Sequence, residues 1–203
     1  MPIPMKYSVI LAHPTPGSFN HAIAETVVRC LRAREQEVFF HDLYAENFDP
    51  VMPAREIARD AVLDPVLERH CDEIGSADGI VIVHPNWWSQ PPAILKGWVD
   101  RALRAGRAYT FVAGENGEGK AVGLLKAKTA LVITTANTPQ EKEVALLGDP
   151  LGLFWEKVVC GLCGIRDVRR LVFTPVIISQ PEQRAAWLRQ VETATFSLID
   201  RLP

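Results

Sequence analysis

The chain has 203 residues and a formal net charge of −2, enough for one α/β domain, 1–203, with a sizeable core. The near-neutral balance argues against a general nucleic-acid binder, which carries a basic excess, and 48% apolar with 23% charged residues excludes a disordered chain. No apolar run approaches the ~20 residues that cross a bilayer, Met1 to Lys6 lacks the layout of a secretion signal, and four cysteines do not make a disulfide framework; a cytoplasmic protein without membrane insertion is expected.

Taken in chain order, Tyr7 to Ala12 is a near-continuous apolar run, the pattern of a strand buried on both faces in a parallel sheet. A helix is expected from near Asn20, with Ile23, Val27 and Leu31 on one face. Glu37 to His41 is a weaker strand candidate, followed by a long connection from Asp42 to Arg59. Asp64-Pro65 combines a capping residue with a proline suited to the first helical position. Gly79 to His84 is a second buried-strand run. After it, Ile94, Leu95, Trp98, Val99, Ala102 and Leu103 form the stripe of a helix that starts at Pro91 or Pro92.

Tyr109 to Lys128, with Gly114, Gly117 and Gly119, reads as a hairpin excursion before the strand Thr129 to Thr134. Asp149-Pro150 repeats the cap-plus-proline signature, Val168 to Phe173 is the other weaker strand candidate, and Ser179 with Glu182 has capping-box spacing before a final helix carrying Leu188, Val191, Thr195, Leu198 and Leu202. Alternation of strand and helix predicts a doubly wound, five-stranded parallel sheet with helices on both faces.

In such sheets ligands bind beyond the carboxyl ends of the strands, near the switch in strand order. Three connections are placed there. His13 to Asn20 offers hydroxyls, an amide, a histidine and a helix N-terminus suited to a phosphate, or is simply a capped turn with Ser18 or Asn20 as its N-cap. Pro85-Asn86-Trp87-Trp88-Ser89-Gln90-Pro91-Pro92 sets two adjacent tryptophans among prolines, a wall for a flat aromatic ligand or a cover for the sheet edge. Thr135 to Pro139 is small and polar, so its backbone N–H groups could approach a ring closely.

Two other signals point elsewhere and are weak. Gly114 to Ala121 nearly matches a phosphate-binding loop, but Ala121 lacks the hydroxyl and no helix pattern follows. Cys160 and Cys163 have redox or metal spacing at the end of a helix rather than its start, so burial is the better reading and no metal is expected. His21, His41 and His70 read as surface or capping residues, and His84 as a possible pocket residue.

Leu11-Ala12-His13 with Ser18-Phe19-Asn20, Asp42-Leu43-Tyr44-Ala45 with Asn47-Phe48, and Pro92-Ala93-Ile94-Leu95-Lys96-Gly97-Trp98 together resemble the flavin-dependent NAD(P)H:quinone reductases of the DT-diaphorase type and their bacterial relatives. Ala108-Tyr109-Thr110, Ile133-Thr134-Thr135, Gly148-Asp149 and Cys163-Gly164 continue the match along nearly the whole chain.

The resemblance implies a flavodoxin-like fold, a flavin (FAD, with FMN a close alternative) and NAD(P)H as co-substrate. It implies a ping-pong transfer of hydride to a small aromatic acceptor such as a quinone, in a homodimer with the flavin site at the interface. By the same resemblance His13, Ser18, Phe19 and Asn20 hold the phosphate end. Pro85, Asn86, Trp87 and Trp88 line the ring edge, and Thr134, Thr135, Ala136 and Asn137 pass under its pyrimidine side. Tyr109 and Phe111 fall where the family lines the quinone pocket, and Arg184 and Leu188 near the adenine end.

Animal members carry a tyrosine and a histidine in the loop after the fourth strand; Asn137 to Asp149 has neither, but Gln140-Glu141-Lys142-Glu143 instead. No catalytic side chain is therefore assigned. Reduction of azo or nitro compounds, a flavodoxin-type carrier and a flavin-binding regulatory subunit of a transporter are the competing functions.

Overall fold

The computed structural model describes residues 4–114 and 117–201. The main sheet consists of β1 (Lys6–Leu11), β2 (Glu37–Asp42), β3 (Gly79–Pro85), β6 (Thr129–Thr135) and β7 (Asp167–Phe173). They are ordered β2-β1-β3-β6-β7, and every pairing is parallel. A separate antiparallel hairpin, β4 (Tyr109–Ala113) and β5 (Gly119–Gly123), is the expected excursion.

The helices are α1 (Phe19–Ala33), α2 (Pro65–Ser76), α3 (Ala93–Ala102), α4 (Gln140–Leu147), α5 (150–163, π-helical through Leu153–Cys160) and α6 (Pro181–Ile199). Their starts follow local chemistry. Ser18 caps α1 by accepting the His21 N–H, Asp64 caps α2 through the Leu67 N–H at 2.9 Å, and Asp149 caps α5 through the Gly152 N–H at 2.9 Å. The capping box expected at α6 is not formed. Ser179 Oγ donates to the Val176 carbonyl and accepts from Arg184 Nε, while Pro181 starts the helix. Leu202 lies outside the described residues.

Side chains alternate across each central strand, so one run of apolar residues supplies two cores. Val9, Leu11, Val81, Val83, Leu131 and Ile133 pack with Ile23, Val27 and Leu31 of α1 and with Trp187, Val191 and Leu198 of α6. Ile10, Ile80, Ile82, Ala130 and Val132 pack on the other face with Leu67 and Ile74 of α2, Leu95 and Trp98 of α3 and Trp155 of α5. The chain leaves β1 toward β2 on one side and β3 on the other, which puts the switch point between β1 and β3.

Two glycines record close approaches. A Cβ on Gly97 would sit 2.2 Å from the Pro50 carbonyl oxygen, so the connection after β2 lies directly on α3. A Cβ on Gly123 would meet the backbone of Cys163 and Gly164 at 2.2 Å, so the hairpin is pressed onto the end of α5. All four cysteines are free and buried; burial pushes Cys160 up to about 12 and Cys163 up to about 11. Among the described residues no helix is long and apolar enough to cross a membrane.

Candidate functional site

At the carboxyl ends of β1, β3 and β6 a cleft of about 280 Å³ is lined by His13, Ser18, Phe19, Asn20, Pro85, Asn86, Trp87, Thr135, Ala136, Asn137, Val176 and Arg184. It shares Asn86, Ala136 and Asn137 with a second cleft of about 480 Å³, lined further by Trp88, Ser89, Lys142, Glu143 and Leu146. The three connections singled out in the sequence thus meet in one groove. A larger groove, about 730 Å³, runs along the sheet edge between β7 and α6, away from those strand ends.

The phosphate end is built first. Gly17 takes φ +71°, which turns the chain so that Ser18 can cap α1. The unpaired N–H groups of the first helical turn then border the cleft, with no acidic side chain in that turn to oppose an anion. Asn20 is buried and donates from Nδ2 to Thr135 Oγ1 at 2.9 Å, which locks the start of α1 to the end of β6. Phe19 packs against Trp187 and Phe173 with ring centroids 5.8 and 6.2 Å away, and the Arg184 guanidinium stands 6.0 Å over its ring.

At the other end the Asn86 N–H donates to the Thr135 carbonyl at 2.7 Å, joining the loop after β3 to β6. Trp87 and Gln90 exchange backbone hydrogen bonds around Trp88 and Ser89, which sit at φ 56° and 57°. Positive φ at both central residues suits a tight hairpin turn, but a tryptophan there is costly to hold. Glu143 holds it. Its carboxylate accepts from Asn86 Nδ2 at 2.9 Å on both oxygens and from Ser89 Oγ at 2.5 Å. Trp88 itself is 98% exposed.

The remaining assignments divide. Thr135, Ala136 and Asn137 reach the cleft, whereas Thr134 is buried in β6 and does not line it. Leu188 packs into the α1 side of the core rather than the cleft. Tyr109 lines a different cleft, with Val99, Leu103, Phe154 and Val158, and Phe111 is more than half exposed, so one chain does not bring them to the groove.

His84 is a core residue, not a pocket residue. Its Nδ1 donates to the Pro85 carbonyl at 2.8 Å and its Nε2 accepts from Trp155 Nε1 at 2.9 Å. His41 and His70 are likewise buried rather than surface residues. His41 lies between Glu46 and Glu73, at 2.9 and 2.5 Å, and His70 Nε2 is 3.1 Å from Glu46. This group has the look of a metal site, but the donor-only Trp98 indole N–H points at His70 Nδ1 at 3.1 Å. The ring proton therefore sits on Nε2, facing Glu46, and that nitrogen has no lone pair for a metal.

Glu143, and the pair made by His21 Nε2 and Asp42 Oδ2 at 3.1 Å behind Ser18, are the site features that residue patterns did not reveal. The first lies in a charged segment that reads as a plain loop but is helix α4, with no buried residue to produce a helical stripe.

A parallel sheet in this order, with its cleft at the strand ends beside the switch point, defines a flavodoxin-like protein. A family model of the flavodoxin-like fold matches residues 5–194, and the chain belongs to that family. It is 35% identical over 194 residues to an uncharacterized NAD(P)H oxidoreductase of Haemophilus influenzae, covering 91% of each chain. It is 28% identical over 211 residues to the Rattus norvegicus NAD(P)H dehydrogenase (quinone) 1, covering 91% of this chain and 76% of that one. Among solved structures, Smu.1420 from Streptococcus mutans superposes with a TM-score of 0.82 at 33% identity, over 94% of this chain and 98% of the other.

Proposed function

We propose that this chain is a flavin-dependent NAD(P)H:acceptor oxidoreductase that reduces quinones in the cytoplasm. The observation that carries this reading is the convergence, in one groove, of a phosphate-ready helix start, small polar residues after β6 and an aromatic, strained turn after β3. The donor set fits a flavin. Ser18, the first turn of α1 and Arg184 suit its anionic end, and Asn86, whose buried Oδ1 has no partner, offers an acceptor to a ring N–H. FAD is the assigned form, because the resemblance puts Arg184 near an adenine end and Arg184 borders the cleft, with FMN the alternative. The family membership and the names of the relatives agree with this chemistry.

A flavin held by these residues would supply the hydride chemistry that links a nicotinamide to the acceptor. The chain's own part is placement. Asn20 and Thr135 fix the two rims against each other, Trp87 and Trp88 wall the acceptor side, and Glu143 keeps their turn in its strained form. The groove is open on one side in a single chain, where Trp88, Leu146 and Leu147 are exposed, and Phe111, Leu153 and Val158 are exposed elsewhere. A homodimer would cover these residues and bring Tyr109 and Phe111 of a second copy to the acceptor side, in keeping with the assigned roles.

The absorbance spectrum of the purified protein tests the reading. Bands near ~375 and ~450 nm should bleach with anaerobic NADH or NADPH and return with benzoquinone. A spectrum still featureless after addition of FAD and FMN removes the cofactor claim. Glu143→Ala should lower kcat/KM for the quinone roughly tenfold by loosening the Trp88 turn, with Glu143→Gln closer to wild type. Equal rates for wild type and alanine variant would show that the turn holds without it.

A further inference from the structure

The phosphate end contains a relay that neither hydride transfer nor helix capping requires. Asp42, at the end of β2, has its Oδ1 taken by the Tyr44 and Ala45 N–H groups at 3.1 and 3.2 Å, which leaves Oδ2 facing His21 Nε2 at 3.1 Å. His21 Nδ1 lies 2.8 Å from Ser18 Oγ, and Ser18 lines the cleft. Both His21 and Asp42 are about 85% withdrawn from solvent, with side-chain exposures of 14% and 15%. His13, from the loop after β1, also faces His21, its ring edge-on at 6.2 Å.

The proton positions follow from the partners. An ionised carboxylate only accepts, so His21 carries a proton on Nε2 toward Asp42. With a neutral ring, Nδ1 is then a bare acceptor and the Ser18 hydroxyl donates to it. The Ser18 oxygen is left to show lone pairs to the cleft, which repels an anion. If His21 takes a second proton, Nδ1–H donates to Ser18 Oγ instead. The hydroxyl hydrogen is freed to donate into the cleft, and a positive charge stands behind it.

We propose that His21 is a positioning residue which, acting through Ser18, couples uptake of one proton to the binding of a phosphoryl anion at this cleft. The inference rests on the flavin reading above, since the phosphoryl group is the ligand's anionic end. Asp42 sets the direction of the relay.

Equilibrium dialysis of the full chain against FMN and against riboflavin, between about pH 6 and 8, tests it. For wild type, the Kd for FMN should weaken about tenfold across that range, the worth of one charge-assisted hydrogen bond, while riboflavin, lacking the phosphate, stays flat. The second ionisation of FMN, near pH ~6, strengthens the anion as pH rises and so runs the other way. His21→Gln should lose the wild-type slope, keep only the slight tightening with pH that the FMN ionisation brings, and sit near the wild-type level at pH 8.

Asp42→Asn should show the same slight trend, but near the tight wild-type level at pH 6. Its Oδ1 keeps the two backbone bonds, so Nδ2 must donate to His21 Nε2 and force the ring proton onto Nδ1. Parallel profiles for wild type and His21→Gln, or a riboflavin slope equal to that of FMN, overturn the relay and leave the flavin reading standing. No binding of FMN, riboflavin or FAD at any pH overturns the flavin reading itself.

Discussion

Glu56→Ala is expected to lower the unfolding free energy by about 3–5 kcal/mol and the melting temperature by roughly 10 °C. Glu56 is 1% exposed and sits in the connection between β2 and α2, in a short 3-10 turn (Ala54–Glu56). Arg101 of α3, also buried, grips its carboxylate bidentately, Nε to Oε2 at 2.9 Å and Nη2 to Oε1 at 2.8 Å. The same guanidinium donates to the Asp49 carbonyl and to Asp64 Oδ2, and Arg104 donates to the carbonyls of Glu56 and Ala58.

Removing the carboxylate takes away the buried bidentate partner and leaves the cation only the half-exposed Asp64 carboxylate and the Asp49 carbonyl, so most of its desolvation is no longer offset. The double change Glu56→Leu with Arg101→Met removes both charges at similar volume, and should recover most of the loss. Thermal and urea unfolding of the three proteins decide it. An alanine variant within about 1 kcal/mol of wild type would mean that water reaches Arg101 and replaces the carboxylate.

That pair also shows what the sequence does and does not display. The three inner strands β1, β3 and β6 are legible because each is a short apolar run between breakers, whereas the edge strands β2 and β7 carry charges and read more weakly. The starts of α2 and α5 are legible because Asp-Pro states its own geometry. Nothing local marks Glu56 and Arg101 as partners, since they are 45 positions apart and periodicity reports only which face a residue occupies. The same blindness hides Glu143, whose helix has no apolar stripe and whose partners Asn86 and Ser89 lie on another loop.

The Ser179–Glu182 spacing misleads for a related reason, because a hydroxyl already used by Val176 and Arg184 does not also cap a helix. The cleft residues were readable because the strand ends of a parallel sheet converge whatever the side chains are. Tyr109 and Phe111 sit on a hairpin, whose direction no strand pattern gives, and in one chain Tyr109 lines another cleft while Phe111 is exposed.

Acid should unfold the protein in two steps of different origin, and two substitutions should separate them. His84 is completely buried, and burial, with a smaller push from Arg170, lowers it to about 4, although its bond to the Pro85 carbonyl works the other way. A second ring proton would be set on Nε2, against the Trp155 indole N–H, with no acceptor there. In the unfolded chain a histidine titrates near ~6.5. Between there and pH 4 the unfolded state holds the extra proton, so stability falls as pH falls, by roughly 3 kcal/mol across the window.

Glu46 acts lower. Burial pushes it up, but the hydrogen bonds of His41 and His70 and the charge of His41 outweigh that and bring it down to about 2. Its folded pKa is depressed, so its contribution is whole above pH ~4.5 and is lost as pH falls toward 2, on the order of 2–3 kcal/mol. His84→Gln, which keeps an acceptor for Trp155, should flatten unfolding free energy between pH 6.5 and 4 relative to wild type, and Glu46→Gln should change only the lower window. Urea unfolding at half-unit pH intervals reads both. An unchanged upper slope in His84→Gln would assign it to other groups. A flattened one would show that the Trp155–His84–Pro85 clamp, directly behind Asn86 and the cleft, holds only while the ring is neutral.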